Sequence, residues 1–467
     1  MRTRRIATLV LLVPAVAIAG CVTGPNYSRP PVVMPDSFRM SQAVQPTVDS
    51  PSVGDAKWWE VFQDDELQSL IRLALDRNYD ARIAAARVLE AQAQAGIVHS
   101  EELPSVSAGA AILGQRFPAA FFGSTRNVGA GELSASAFWE LDFWGRLRRA
   151  SEAARAQLLA TEWGRRAVVT TLISHLASAY FTLRTLDLQL EITTRTLDSR
   201  QESLRLTEVR ERGGATSLLD VRQAEQLVYG AGAEIVNLER QIQEEENLIR
   251  VLAGDWPSAV TRGRALTDQP HPAEVPSGLP SALLERRPDI QQAEQQLVAA
   301  NAQIGVAKAA YFPQITLTGS GGVESAALSA LFSGTNIIWS AALSAAQPLY
   351  AGGRLRSQVE LAEARHQEAL LTYQRAIQYA FREVSDALVG YQKARELRAQ
   401  EELLVSSARD ARRLADVRYE GGATSYLEVL DADSRLFVAE LALAQAQFGE
   451  LAGLIEIYRA LGGGWQP

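Results

Sequence analysis

The chain has 467 residues, of which 47% are hydrophobic, and its formal net charge is −8. This length allows two or three domains or one elongated domain, and an acidic chain without a basic stretch argues against nucleic acid as a partner. The single cysteine excludes a disulfide framework, and the four dispersed histidines and three lysines fit neither a metal-site nor a nucleotide-loop spacing. We therefore expect no metal and no cofactor.

The first twenty residues predict a lipoprotein signal peptide. Three arginines precede an apolar run over residues 6–18. A helix of that length reaches about 20 Å, short of the roughly 30 Å hydrocarbon core of a bilayer. Small residues stand directly before Cys21, which we expect to become the lipidated N-terminus of an extended segment over residues 21–57. The alternative is an incidental cysteine in an uncleaved leader.

A long-period repeat organises the rest of the chain. Residues 212–221 and 420–429 agree at seven of ten positions, at an offset of 208. Further matches occur in the same order at offsets of 208 or 209: Gly145–Arg148 with Gly353–Arg356, Asp80 with Asp289, Gly96 with Gly305, and Pro104 with Pro313. The period is too long for a solenoid repeat. It predicts two homologous halves, residues 58–270 and 271–467.

Each half has the same predicted element order of a helix, two strands and two long helices. Helix-forming residues fill 78–101 and 289–310, and prolines follow both stretches. Alternation of apolar and small polar residues predicts the strands, which are joined as hairpins by loops over residues 117–129 and 325–336. The predicted strands are about 105–116, 130–143, about 314–324 and 337–350.

The strands have two interpretations. A soluble, half-buried sheet would show the same alternation, but the lipoprotein signal favours tilted strands that cross an outer membrane, which need about 9–11 residues. Four strands cannot close a barrel, and an open sheet edge is not tolerated in lipid. If the strands span the membrane, several copies of the chain must therefore share one barrel.

The long helices are predicted at residues 146–211 and 354–419. Both stretches lack proline and carry charges throughout, so they are too polar for a bilayer and suit an antiparallel coiled coil about 100 Å long. Paired glycines interrupt them before helices resume at 217–253 and 425–461. Thr216 or Ser217, and Thr424 or Ser425, are the expected N-caps.

These features resemble the TolC-like outer-membrane efflux proteins, in particular the lipoproteins that serve resistance-nodulation-division (RND) pumps. The resemblance covers nearly all of the mature chain. It rests on these segments in family order: Cys21–Pro30, Trp58-Trp59 with Phe62 and Leu67, Arg287–Ile290, Ala310–Pro313, Pro348–Gly353 and Ala460–Trp465.

The resemblance implies a mainly α fold with a β-barrel portion. Three chains would form a twelve-stranded outer-membrane barrel, four strands from each, continuous with a periplasmic α-helical barrel. The implied function is that of a passive exit duct in a Gram-negative outer membrane. The duct would receive substrate from an inner-membrane RND pump through a periplasmic adaptor.

By the same resemblance, the two glycine turns are where the hairpins of the adaptor dock. These turns comprise Gly213, Gly214, Ala215 and Thr216, and Gly421, Gly422, Ala423 and Thr424. Small residues permit close backbone approach. The alternative is that they are only turns, because any helical hairpin benefits from glycine.

The resemblance also places a periplasmic gate just after the second turn. Leu427, Glu428 and Asp431 share one helical face by their spacing. In a trimer they would form an apolar ring and two acidic rings that attract cations. Asp220 and Tyr419 match positions where the family locks its closed state, whereas Thr424 stands where some members have an arginine of that lock. A solvated helix face is the alternative for all of them.

Other functions fit the sequence to different degrees. A type I secretion duct shares this fold and stays open as an alternative. A periplasmic adaptor lipoprotein would lack duplicated strand pairs, and a hydrolase would need a nucleophile and base for which the chain shows no motif. We therefore predict that the chain is not an enzyme.

Overall fold

The computed structural model describes residues 22–32, 35, 38, 52–119, 123–270 and 282–465. The predicted signal peptide, Cys21 and most of residues 33–51 lie outside the described residues. Within the described ranges, no helix has the length and hydropathy needed to cross a membrane.

Helices make up most of the described chain, and their bounds lie within one or two residues of those predicted for the six longer stretches. In chain order they are α1 (Trp58–Val61), α2 (Asp65–Arg77), α3 (Tyr79–Ser100), α4 (Arg146–Arg212), α5 (Leu218–Leu252), α6 (Leu283–Arg286), α7 (Pro288–Ala309), α8 (Arg354–Glu420) and α9 (Tyr426–Ala460).

The strands form one antiparallel sheet in the order β1-β2-β3-β4. They are β1 (Ser105–Phe117), β2 (Arg126–Glu140), β3 (Gln314–Ser325) and β4 (Ile337–Ala346). A row of serines crosses all four strands in register, namely Ser107, Ser136, Ser320 and Ser340. The hydroxyls of the outer pairs are hydrogen-bonded at 2.9 and 2.8 Å. The predicted mainly helical fold with four long strands is confirmed.

Two predicted strand ends need correction. β2 ends at Glu140 rather than 143, because Phe143 N donates to Leu141 O in a tight turn that leads into α4. β4 ends at Ala346 rather than 350, where Pro348 follows without an N–H for the ladder. β2 also begins earlier than predicted, at Arg126, so the first hairpin loop is shorter than 117–129.

The chain divides into two compact units. One comprises the described parts of residues 1–31, 87–162 and 292–374, and it contains the sheet. The other comprises the described parts of residues 32–86, 163–291 and 375–467. Its largest hydrophobic cluster has the side chains of Leu67, Ile71, Tyr180, Ile249 and Tyr458 at its fully buried centre.

A buried carboxylate organises one side of this second unit. Asp64 is fully buried, and it caps α2 by accepting hydrogen bonds from the amides of the first turn, including Leu67 N at 3.1 Å. The same carboxylate accepts from Tyr180 Oη at 3.1 Å, Arg264 N at 2.9 Å and Gln269 Nε2 at 3.0 Å. One side chain therefore ties α2, α4 and the 263–269 segment together.

We predict that Asp64→Ala lowers the thermal unfolding midpoint clearly. The substitution leaves several buried donors without an acceptor, at a cost of about 1–3 kcal/mol for each unsatisfied group. Asp65→Ala is the matched control, because Asp65 is the exposed neighbour in the same helix turn. Circular dichroism melts of both variants test this, and equal midpoints would contradict it.

Candidate functional site

The turn between α4 and α5 is closed by a glycine in the left-handed region. Ala215 N donates to Arg210 O at 2.8 Å and Gly214 N donates to Glu211 O at 2.9 Å, while Gly214 has a φ of +72°. This pair of bonds is the Schellman arrangement that satisfies the last carbonyls of a helix. Gly214 is therefore required by the turn itself.

The turn between α8 and α9 repeats this geometry. Ala423 N donates to Arg418 O at 2.8 Å, Gly422 N donates to Tyr419 O at 3.0 Å, and Gly422 has a φ of +71°. Gly213 and Gly421, the first glycine of each pair, do not have positive φ. Backbone conformation therefore explains one glycine in each turn and leaves the other unexplained.

The two turns differ in how the next helix is capped. Ser217 caps α5 in a reciprocal box with Asp220, and the Thr216 hydroxyl also donates to Asp220. The hydrogen bond from Thr216 lowers the pKa of Asp220 below its ordinary value. At the second turn, Ser425 makes no side-chain cap, whereas Thr424 donates to Glu428.

Tyr419 contacts both turns but does not hydrogen-bond to Asp220. Its ring lies 5.2 Å from that of Tyr426, and the Arg210 guanidinium sits 4.4 Å from its centroid. Its hydroxyl is buried and has no hydrogen-bond partner within the described part of the chain. The lock partners suggested by the resemblance, Asp220 and Tyr419, are thus both near the turns, but each interacts with other groups.

The three other predicted gate residues lie exposed at the start of α9. Leu427 is 60% exposed. Glu428 pairs with Arg418 at 3.2 Å, and Asp431 pairs with Arg435 at 2.9 Å, while both carboxylates keep substantial solvent exposure. The structure therefore brings Leu427, Glu428 and Asp431 onto one accessible face.

A buried ionic contact, missed by the sequence reasoning, lies behind that face. Asp433 accepts from Arg200 Nε on α4 at 2.8 Å and from Arg412 Nε on α8 at 3.3 Å. The Arg200 and Asp433 side chains are only 7% and 11% exposed. Two residues along a helix amount to about 200° of rotation, so Asp433 points away from Asp431.

Seven residues further on, α9 makes a second ionic contact with the same two helices, here through arginines that are exposed. Glu440 is 3.0 Å from both Arg195 on α4 and Arg409 on α8. Acids seven residues apart share a helix face, so the 433/440 spacing was the available signal. The equivalent positions of the first half, at the offset of 208, are Glu225 and Gly232, and Glu225 pairs with Arg222 of its own helix.

In the other unit, the extended segment after Cys21 is held by hydrogen bonds along its length. Thr23 N donates to Trp144 O at 3.0 Å, just before α4. Arg149 of α4 donates to Thr23 O at 3.2 Å and to Asn26 Oδ1 at 2.7 Å, and Asn301 of α7 donates to Pro25 O at 2.9 Å. Residues 23–26 therefore have fixed neighbours at the start of α4.

The next residues of this segment bind the buried carboxylate of Glu294. Arg29 donates to both oxygens of Glu294, at 2.7 and 2.8 Å, and Tyr27 Oη donates to Glu294 Oε1 at 3.1 Å. The Glu294 side chain is 6% exposed. Such paired, bidentate contacts are the strong class of charge-assisted hydrogen bond. We call residues 22–29 the N-terminal strap.

Comparison with known sequences places this geometry in a family context. The sequence model described as "Outer membrane efflux protein" matches the chain twice, over residues 70–255 and 279–463. The predicted internal duplication is thereby confirmed. Among curated proteins, the cation efflux system protein CusC of Escherichia coli O6:H1 is 34% identical over 452 residues, covering 97% of each chain.

A second relative and a solved structure agree with this match. The solvent efflux pump outer membrane protein SrpC of Pseudomonas putida is 37% identical over 454 residues and 96% of each chain. The crystal structure of the open state of the Neisseria gonorrhoeae MtrE outer membrane channel superposes with a TM-score of 0.86 at 30% identity, covering 96% of this chain and 99% of that one.

Substitution by alanine should have different effects on hydrogen exchange at the two glycines of the first turn. A Cβ at Gly214 would meet no atom within 4 Å, so Gly214→Ala carries only the cost of the left-handed backbone, about 1 kcal/mol. We predict about fivefold faster hydrogen exchange at the turn amides in that variant. Gly213→Ala is the control, and it should exchange at the wild-type rate or slower. Equal exchange in both variants would contradict the turn assignment.

Proposed function

Since this chain belongs to the outer membrane efflux protein family and is an exit duct for efflux, we propose that three copies form the working channel. The observation that carries this proposal is the sheet, in which β1 and β4 each pair on one side only. Hydrocarbon supplies no hydrogen-bond partner for a free edge, so each edge has to pair with another copy. Three four-stranded sheets would give the twelve-stranded barrel.

We further propose that the chain is anchored by a lipid on Cys21. The apolar leader and the small residues before Cys21 support processing by a lipoprotein peptidase. The N-terminal strap is consistent with such an anchor, because Thr23 is hydrogen-bonded to Trp144, just before the first residue of α4. An acyl chain on Cys21 would therefore start within two residues of a fixed point, and the barrel would supply the further membrane contact that lasting attachment needs.

Cys21→Ser tests the anchor. We expect mass spectrometry of the wild-type N-terminal peptide to show a chain that starts at acylated Cys21, and we expect no acylation in the variant. Arg29→Gln is the control, because it loosens the strap from Glu294 without touching the processing site. It should keep the lipid while its N-terminal segment is cut faster by protease. An unmodified Cys21 in wild-type protein would overturn the anchor.

The partner we propose at the two turns is a periplasmic adaptor that connects to an inner-membrane pump. The support is that Gly213 and Gly421 are glycine without a conformational need, which leaves room for close backbone approach. Next to the first turn, Leu218 and Leu219 are 56% and 64% exposed. Exposed leucines beside an accessible backbone are typical of a surface that binds a partner, because burying their apolar side chains against a helix removes them from water.

Substrate choice is proposed to reside in the pump. The relatives of comparable identity are named for different cargoes, cations in one case and solvents in the other. Both names are those of efflux systems, which favours the efflux duct over a type I secretion duct. The four long strands likewise favour a duct over an adaptor lipoprotein.

We propose that the exposed face of Leu427, Glu428 and Asp431 forms the periplasmic constriction. In a trimer, each acid on this face would recur three times around the axis and favour cations. Asp433 would set the orientation of the face, because its buried contacts hold α9 between α4 and α8. Removing one partner of a buried ion pair costs about 3–5 kcal/mol. A movement of α9 that separates Asp433 from Arg200 on α4 and Arg412 on α8 would therefore be strongly disfavoured.

Single-channel recording in a planar bilayer tests both the duct and its constriction. We expect a small, cation-preferring conductance in wild type and a reduced cation preference in Glu428→Gln/Asp431→Asn, because the charges near the narrowest point are lost. The control is Glu202→Gln/Asp410→Asn. It removes two other exposed acids from α4 and α8, whose side chains are 69% and 72% exposed against 42% and 58% for Glu428 and Asp431.

The outcomes separate the two parts of this proposal. A conductance that is unchanged by either double variant would keep the duct and remove the acidic constriction. A folded trimer without any conductance would remove the duct itself. Equal loss of cation preference in both double variants would assign selectivity to general surface charge and not to α9.

A further inference from the structure

Two tryptophan-bearing segments that lie 400 residues apart in sequence meet around one cavity. Trp58 and Trp59 belong to α1, whereas Trp465 follows α9 near the end of the chain. The cavity measures about 590 Å³ and lies within the second compact unit. Its wall combines these three indoles with three guanidinium groups and small aliphatic side chains, the arginines being Arg72, Arg82 and Arg165.

The charged side chains of this wall are all positive. None of the described residues that line it is an aspartate or a glutamate. Within the described ranges, none of the three lining arginines forms an ion pair, and Arg72 donates to the neutral Gln68 oxygen at 3.1 Å. By contrast, Arg184 and Arg262 in the same unit are neutralised by Asp187. Three unneutralised guanidiniums around one concave surface are donors suited to an anion.

The aromatic rings are held in place within this cationic wall. Trp465 Nε1 donates to Arg286 O at 3.2 Å, and Trp58 is only 4% exposed. A fourth cation adds to the cluster, because the Arg166 guanidinium lies 4.0 Å from the Trp163 ring and 4.8 Å from the Trp465 ring. The cavity thus places rigid aromatic rings beside hydrogen-bond donors that are all positively charged.

We propose that this cavity is a binding site for an organic anion with a flat, apolar body and one carboxylate or sulfonate group. The volume falls within the range of about 300–1,000 Å³ usual for small-molecule sites. A neutral analogue would contact the indoles without using the guanidiniums, and a cation would be repelled by them. This assignment does not rest on the lipid anchor or on the constriction.

Isothermal titration of the purified full-length protein with three matched probes tests the site. The probes are 2-naphthoate, neutral 2-naphthamide and cationic 2-naphthylmethylammonium, and empty detergent micelles correct for partitioning. We expect saturable binding of naphthoate, with each of the other two probes at least about tenfold weaker, which is the size of a charge-assisted hydrogen bond. Absence of naphthoate binding would overturn the site, including the case in which a second copy of the chain fills the cavity.

Variants of the lining arginines show where the probe binds. Arg72→Gln/Arg165→Gln should weaken naphthoate binding about tenfold. The control Arg77→Gln removes an exposed arginine of the same helix that does not line the cavity, and it should bind as wild type does. Equal weakening in both, or in neither, would overturn the assignment.

Charge reversal gives a test that does not depend on loss of binding. Reversing all three lining arginines, as in Arg72→Glu/Arg82→Glu/Arg165→Glu, should make the ammonium probe bind more tightly than naphthoate, because three carboxylates then outnumber the remaining Arg166 guanidinium. Trp465→Leu should weaken both charged probes, because the apolar contact is lost while the charges stay. A reversed variant that kept the wild-type order would overturn the proposal.

Discussion

In the four-stranded sheet, β2 and β3 are paired on both sides, whereas β1 and β4 are each paired on one. A channel in the outer membrane cannot leave such edges facing lipid, because the unpaired N–H and C=O groups would have no partner there. The internal duplication indicates how these edges could pair. Within one chain, the β2–β3 contact already joins the first half to the second. Pairing of β4 with β1 of the next copy would join a second half to a first half in the same antiparallel way.

The two halves have the same backbone geometry at their helical turns but differ in the positions of their charged side chains. Both turns use the same Schellman bonds and the same left-handed glycine, since every helix end has to satisfy its last carbonyls. Only the second half carries the acids at 433 and 440 that contact arginines from α4 and α8. In the first half, Glu225 stays within its own helix. The two hairpins are therefore similar in backbone, and α9 makes ionic contacts with α4 and α8 at positions where α5 makes none.

Buried carboxylates join segments distant in sequence at three places in the described part of the chain. Asp64 collects donors from α2, α4 and the 263–269 segment. Glu294 receives the strap through Arg29 and Tyr27, and Asp433 receives Arg200 and Arg412. Each of these carboxylates accepts hydrogen bonds from at least two different residues, and removing a partner would leave a buried polar group unpaired.

By itself, the sequence determined the duplication, the helix and strand order, the paired-glycine turns and the family, because these depend on local patterns that repeat at a constant offset. Predicted boundaries were wrong where a tight turn at Phe143 and a proline at 348 ended strands whose alternation continued in sequence. Only the tertiary structure showed that Asp433 is buried whereas Asp431 is exposed, or that Trp58 and Trp465 share a cavity. Periodicity records which face of a helix a residue occupies, but packing against other helices decides whether that face meets water, an arginine or an open space.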